Sequence, residues 1–286
     1  MQNRSKIIGK VLIYSLLMFI VFITVIPIAY TVSASFKTNT EIMSGGAHLI
    51  PKKTTFENYI IAWTMGSSGG SRVGRKTVTF ADYTVNSLKM SAIAVLGSVI
   101  FTSMLAYTIQ RGRFPGRKLL FGMYLGTMFI AAGAVTLFPI VKLAAIMKIN
   151  NLYGAALVQM FTASAANLFL TIGYMKTISR ELDDAAKIDG ALQFHMDWFI
   201  TSPLIRSTFF TCLILGVIFN LRQFEFVYLM TNGGPANKTG VLVLYIWKEL
   251  QIQRLGLGNA AGVIMIAFGI ILLLLMRRIL RSQNYN

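Results

Sequence analysis

The feature that most constrains this chain is the recurrence, from one end to the other, of apolar runs long enough to cross a lipid bilayer. A helix rises 1.5 Å per residue, so about 20 apolar residues match the roughly 30 Å hydrocarbon core. No water reaches that core to satisfy backbone N–H and C=O groups, and a helix satisfies them within the segment. The expected fold is therefore all-α, a polytopic transmembrane helix bundle. The supply of charge agrees: 13% of the residues are charged and 55% hydrophobic, against about 25% charged in a soluble domain. Apolar segments fill residues 1–286 without a Pro/Ser-rich linker, so a single transmembrane domain is expected.

Six spans are read, at residues 11–34, 83–109, 119–141, 152–175, 204–230 and 257–275, with Pro139 breaking the third near its end. The first follows a basic start (Arg4, Lys6, Lys10), and Ser33-Ala34-Ser35 offers the small residues of a signal-peptide cleavage site. A signal h-region is only about 7–15 residues long, so this longer run is read as a span. Residues 36–81, with Gly45-Gly46, Pro51 and a Gly/Ser tract at 66–71, read as an external loop. Residues 176–203 form the longest cytoplasmic loop, and Asn232-Gly233-Gly234-Pro235 a further external one. Arg111, Arg113, Arg117 and Lys118 share one short turn, and Arg277, Arg278 and Arg281 follow the last span. By the positive-inside bias, both termini are expected in the cytoplasm.

The net charge is +17, but the basic residues lie between spans instead of forming a stripe. That points to topology signals and attraction to the anionic bilayer, and away from nucleic acid. Cys212 is alone inside an apolar run, so neither a disulfide nor a thiolate metal site can form. No clustered histidines, metal-ligand spacing or elbow serine marks a catalytic site, and His195 reads as a loop surface residue. No cofactor or metal is expected. Residues 69–77, GGSRVGRKT, approximate a phosphate-cradling loop, but one residue too many separates the second glycine from the lysine and no strand precedes it. ATP hydrolysis by this chain is not expected. Glycine pairs at Gly122/Gly126 and Gly258/Gly262 have the spacing that lets helix backbones pack closely.

The most informative stretch lies in the cytoplasmic loop. In the run Glu181-Leu182-Asp183-Asp184-Ala185-Ala186-Lys187-Ile188, residues Arg180–Ile188 read as a short helix with acids in its first turn, where the macrodipole favours them. Asp189-Gly190 reads as its stop and turn, before Ala191. A second amphipathic stretch, with Leu192, Phe194, Met196, Trp198 and Phe199, leads through Pro203 into the fifth span. A short helix lying across the cytoplasmic face suits docking into a groove on a soluble partner.

This loop closely resembles the EAA loop of ATP-binding-cassette importer permeases, through Glu181, Ala185, Ala186, Asp189, Gly190, Ala191 and Pro203. Ser202 stands where that family usually has Leu, and Asp197 where it often has an aromatic residue. The likeness extends toward the carbohydrate, maltose-type branch through Ser35-Phe36-Lys37, Glu41-Ile42, Asn58-Tyr59, Asn86-Ser87-Leu88, Ala106-Tyr107, Phe224-Glu225 and Thr231-Asn232-Gly233-Gly234-Pro235. The resemblance implies a type I importer permease fold and a division of labour. A second permease subunit completes the pathway, two ATPase subunits bind ATP and the coupling loops, and an extracytoplasmic binding protein delivers the carbohydrate.

Polar residues inside a span are by default functional, because an ionisable group there costs about 2.5–3.5 kcal/mol on insertion scales. Arg222 and Glu225 stand three apart in the fifth span, so on one helix they share a face and can pair. Asn220 and Gln223 fall on a different arc, with Phe224 nearby, and amides beside aromatic faces suit sugar rings. On a continuous helix the two arcs cannot both face one narrow cavity. The excess of Lys and Arg on the external side, Lys37, Lys52, Lys53 and Arg222 among them, fits an acidic uronate-type oligosaccharide, an acidic docking partner, or neither. The rival readings are a permease for a non-sugar solute, an ion-coupled secondary transporter and a membrane-embedded enzyme. The second needs intramembrane carboxylates in relay positions, where Glu225 is the only deep carboxylate, or paired broken helices, and the third needs catalytic groups.

Overall fold

The computed structural model describes residues 2–45, 48–65, 78–129, 133–161, 165–179, 181–190, 192 and 195–282, and among them every regular element is helical. In chain order these are α1 (Gln2–Ser35), α2 (Asn39–Met43), α3 (Glu57–Met65), α4 (Phe80–Arg111), α5 (Arg117–Phe129), a 3-10 turn (Gly133–Thr136), α6 (Leu137–Ile146), α7 (Leu152–Phe161), α8 (Ala165–Met175), α9 (Glu181–Ile188), a π-helical turn (Met196–Thr201), α10 (Ser202–Leu221), α11 (Glu225–Thr231), α12 (Leu242–Gln251) and α13 (Leu255–Ser282).

Among the described residues four helices are long and apolar enough to cross a membrane, over Gly9–Ser35, Phe80–Arg111, Ser202–Leu221 and Leu255–Arg278. The pair α7 and α8, bent by 46°, passes the same length and hydropathy test when taken together. The expected third span is divided into α5 and α6, and the division falls before Pro139, not at it. Pro139 occupies the first turn of α6, where the missing N–H has no helical acceptor to lose. The expected fifth span also divides, because α10 ends at Leu221 and α11 begins only at Glu225. Two short helices, α2 and α3, lie within the segment read as an external loop, and α12 lies between the fifth and sixth spans.

The chain forms two compact units, residues 1–81 with 245–268 and residues 82–244 with 269–286. In the first, α1 exposes apolar side chains such as Val11, Met18, Phe19 and Phe22, as a lipid-facing helix does. Its C-terminal end is tied down tightly. Asn58 Nδ2 donates to the carbonyls of Ser35 and Lys37 at 2.9 and 2.8 Å, and Phe36 packs between Phe56 and Tyr59 at centroid distances of 5.4 and 5.2 Å. Lys37 is 2% exposed; its ammonium donates to the His48 carbonyl and lies over the Tyr30 ring. Asn39 clamps the turn before α13, accepting from Leu255 N at 2.8 Å and donating to the Gln253 carbonyl at 2.7 Å.

In the second unit α4 is the central helix. Ser91, Ala94, Val95, Ser98, Val99, Thr102, Ala106 and Ile109 recur at helical spacing and are buried. Ala106 and Ile109 pack on Leu168, Ile172 and Met175 of α8, and Val95 and Val99 on Cys212 of α10. Close approach is set by Gly216 of α10, where an added Cβ would lie 2.8 Å from Val95 Cγ1. Of the two glycine pairs, Gly122, Gly126 and Gly262 face open space and only Gly258 meets a neighbour, Leu250. Among the described residues, therefore, only Gly258 of these four marks a close approach, between α13 and α12. The loop after α11 is held by α4: Asn86 Nδ2 donates to the carbonyls of Lys238 and Gly240 at 2.8 and 3.0 Å, and Ser87 Oγ accepts from Leu242 N at 2.9 Å.

Candidate functional site

Two places in the second unit gather the residues singled out by the sequence. The first is the loop between α8 and α10. The short helix expected at Arg180–Ile188 is seen over Glu181–Ile188, and Ser179 Oγ accepts the Glu181 N–H at 3.2 Å. At the far end Asp189 N–H still bonds to Ala185 O at 3.0 Å, and Gly190 turns the chain at φ +78°. That left-handed conformation favours glycine, and a Cβ there would meet nothing, so the demand is conformational and not steric. Ala186 is buried, whereas Glu181, Ala185 and Asp189 are exposed. Ile188 is 87% exposed and Leu182 46%. Beyond the turn Leu192, Trp198 and Phe199 are exposed as well, with the His195 ring stacked on Phe199 at 6.0 Å. Met196 is buried beneath them, and Pro203 enters the first turn of α10. The loop thus presents exposed apolar side chains beside exposed acids. Ala191, Arg180, Phe194 and the phosphate-loop-like stretch 69–77 lie outside the described residues.

The second place is a cavity of about 760 Å³, within the usual range for ligand sites. Three divided segments meet at its wall. Thr127, Thr136 and Leu137 flank the gap between α5 and α6; Gln159, Ala166 and Asn167 flank the bend between α7 and α8; Asn220, Arg222, Gln223 and Phe226 flank the gap between α10 and α11. Ser98 of α4 completes the polar lining. Interrupted helices at membrane depth are tolerated where they line a cavity, because the released backbone groups find partners there. Asn220 Nδ2 donates to the Gly216 carbonyl at 2.9 Å, and its Oδ1 is buried without a hydrogen-bond partner among the described residues.

The cavity brings Asn220, Arg222 and Gln223 together, contrary to the expectation that they fall on separate arcs. The reason is local: α10 ends at Leu221, so helical spacing no longer governs Arg222 and Gln223. For the same reason Arg222 and Glu225 do not pair; among the described residues no ion pair joins them, and Glu225 Oε2 instead accepts the Phe224 N–H at 3.1 Å. Phe224 leans on Tyr228 and, like Glu225, is not part of the lining; Phe226 is. Ser98, Gln159 and Asn167 were missed, although each is a polar residue within an apolar run, the signal that singled out Asn220.

With this geometry in view, residues 117–284 match the family described as binding-protein-dependent transport system inner membrane component. The galactooligosaccharides transport system permease protein GanQ of Bacillus subtilis is 30% identical over 193 residues, covering 68% of this chain and 64% of GanQ. The inner membrane ABC transporter permease protein YcjP of Escherichia coli is 24% identical over 89% of this chain and 90% of its own. Among solved structures, a bacterial ABC transporter involved in import of the acidic polysaccharide alginate superposes with a TM-score of 0.69 at 20% identity, covering 98% of this chain and 97% of that one. The chain belongs to the binding-protein-dependent transport system inner membrane component family. It is a transport subunit, not an enzyme, and it has the fold of type I ABC importer permeases.

Proposed function

We propose that this chain forms half of the membrane pathway of an ATP-driven carbohydrate importer, carrying an oligosaccharide through the cavity at the three helix gaps. One observation carries the reading: three separate segments are interrupted at the same cavity and turn amides and hydroxyls into it beside Phe219 and Phe226. A sugar ring offers apolar faces and a hydrogen-bonding rim, and such a wall matches both. Galactooligosaccharides, named for the relative GanQ, belong to this substrate class. Asn220, Gln223, Ser98, Gln159 and Asn167 would contact the sugar, with Phe224 and Glu225 supporting the wall from behind.

The loop 176–203 supplies the drive. Glu181, Ala185, Ala186, Asp189, Gly190, Ala191 and Pro203 form the coupling segment, whose exposed Leu182, Ile188, Trp198 and Phe199 seat in a groove of an ATPase subunit. ATP is bound by that partner, closure of the ATPase pair is transmitted through the loop, and the permeases alternate between two states. The divided α5–α6 segment counts as one span and the bent α7–α8 pair as another, giving six, with both termini and residues 176–203 in the cytoplasm and 36–81 outside. Residues 1–286 work as one permease domain beside a second permease, two ATPase subunits and an external binding protein. The test is purification of the tagged chain from its host membrane. Another permease and an ATPase should co-purify, sugar-loaded binding protein should stimulate hydrolysis, and the chain stripped of partners should hydrolyse no ATP. Hydrolysis by the isolated chain would refute the reading.

A further inference from the structure

We infer that the carried oligosaccharide is anionic, of uronic-acid type, and that Arg222 is the specificity-determining residue that reads its carboxylate; the inference rests on the carbohydrate reading above. Among the described lining residues Arg222 is the one charge, and the rest are apolar or carry neutral amides and hydroxyls. Its guanidinium makes no hydrogen bond or ion pair with any described residue, and only its backbone N–H is engaged, to Phe219 O at 3.2 Å. The nearest acid in sequence, Glu225, is not on the lining, and its carboxylate is turned to the Phe224 N–H. A cation held in a membrane cavity without a counter-charge is unfavourable until an anion arrives. A guanidinium matches a carboxylate in a bidentate fork, whereas a neutral sugar hydroxyl offers it no charge to neutralise. Phe219 and Phe226 stand on the same wall to take a ring face, and the unpaired Asn220 Oδ1 is free to accept a sugar hydroxyl.

A carboxylate from the second permease is the competing occupant, and the test separates the two. The assembled complex in proteoliposomes is offered trisaccharides containing galacturonate, glucuronate or mannuronate, each beside its methyl ester and a neutral hexose trisaccharide, and stimulated ATP hydrolysis is read. At least one uronate should stimulate about ten- to hundredfold more effectively than its ester, the range expected for one charge-assisted contact. Arg222→Gln should abolish that preference, lowering the uronate response about ten- to hundredfold more than the ester response, and Arg222→Lys should keep part of it. The binding protein is the same throughout, so a change in the ratio belongs to the permease. Uronates no better than their esters would overturn the inference while leaving the carbohydrate reading intact. So would equal loss for both substrates, or loss of the second permease, in Arg222→Gln. Stimulation by no saccharide of either kind would remove the carbohydrate reading and the inference with it.

Discussion

Asn151 and Gly154 show how single residues fix the route of this chain. After α6, Lys148 adopts φ 56° and Ile149 N bonds back to Ala144 O at 3.0 Å. Asn151 then caps α7, its Oδ1 accepting the Gly154 N–H at 2.8 Å. The turn is so tight that a Cβ on Gly154 would lie 1.8 Å from the Ile149 carbonyl oxygen, whereas one on Gly122 would meet nothing within 4 Å. Backbone cannot swing aside as a side chain can, so Gly154→Ala is expected to lose about 1–3 kcal/mol, the usual penalty of overpacking. Thermal unfolding in detergent checks this: Gly154→Ala should melt several degrees below wild type, whereas Gly122→Ala should melt no lower than wild type. Equal melting of the two variants would contradict the steric account.

At the scale of elements, what the sequence disclosed and what it hid have physical causes. Spans such as α1, α4 and α13 are legible because hydropathy sums over more than twenty residues. The interruption after Leu221 is not, since Leu221-Arg222-Gln223-Phe224 contains neither Gly nor Pro and periodicity runs through it unbroken. The Arg222–Glu225 pair failed with it, because an i,i+3 argument holds only on a continuous helix. The short helix Glu181–Ile188 was legible from its acids, its apolar positions and the glycine that ends it. Motif residues read as family marks prove to be fasteners: Asn58 binds the end of α1, and Asn86 and Ser87 hold the loop before α12. A prediction belongs here. Proline cannot adopt the φ of +78° found at Gly190, and it removes an N–H. Gly190→Pro should redirect the chain leaving α9 and lower uptake at least tenfold, with insertion and abundance in the membrane unchanged. Uptake at the wild-type level would show that this turn does not orient the docking helix.

For the whole molecule the +17 charge loses part of its apparent meaning once the side chains are placed. Lys37, counted among external cations, is buried and bonded to the His48 carbonyl, and Glu249 is likewise fully buried. Neither can steer a partner through solvent. The informative charges are instead local: Arg222, unpaired among the described residues of the cavity, and the acids along α9. The central claim is that this chain moves an oligosaccharide inward at the expense of ATP hydrolysed by other subunits. The most direct test is uptake of radiolabelled oligosaccharides into proteoliposomes containing the purified complex and external binding protein, with ATP enclosed, omitted, or replaced by a proton or sodium gradient. The account predicts accumulation that requires enclosed ATP, binding protein and this chain, and that no ion gradient replaces. Accumulation driven by a gradient without ATP, or confined to non-sugar solutes, would contradict it.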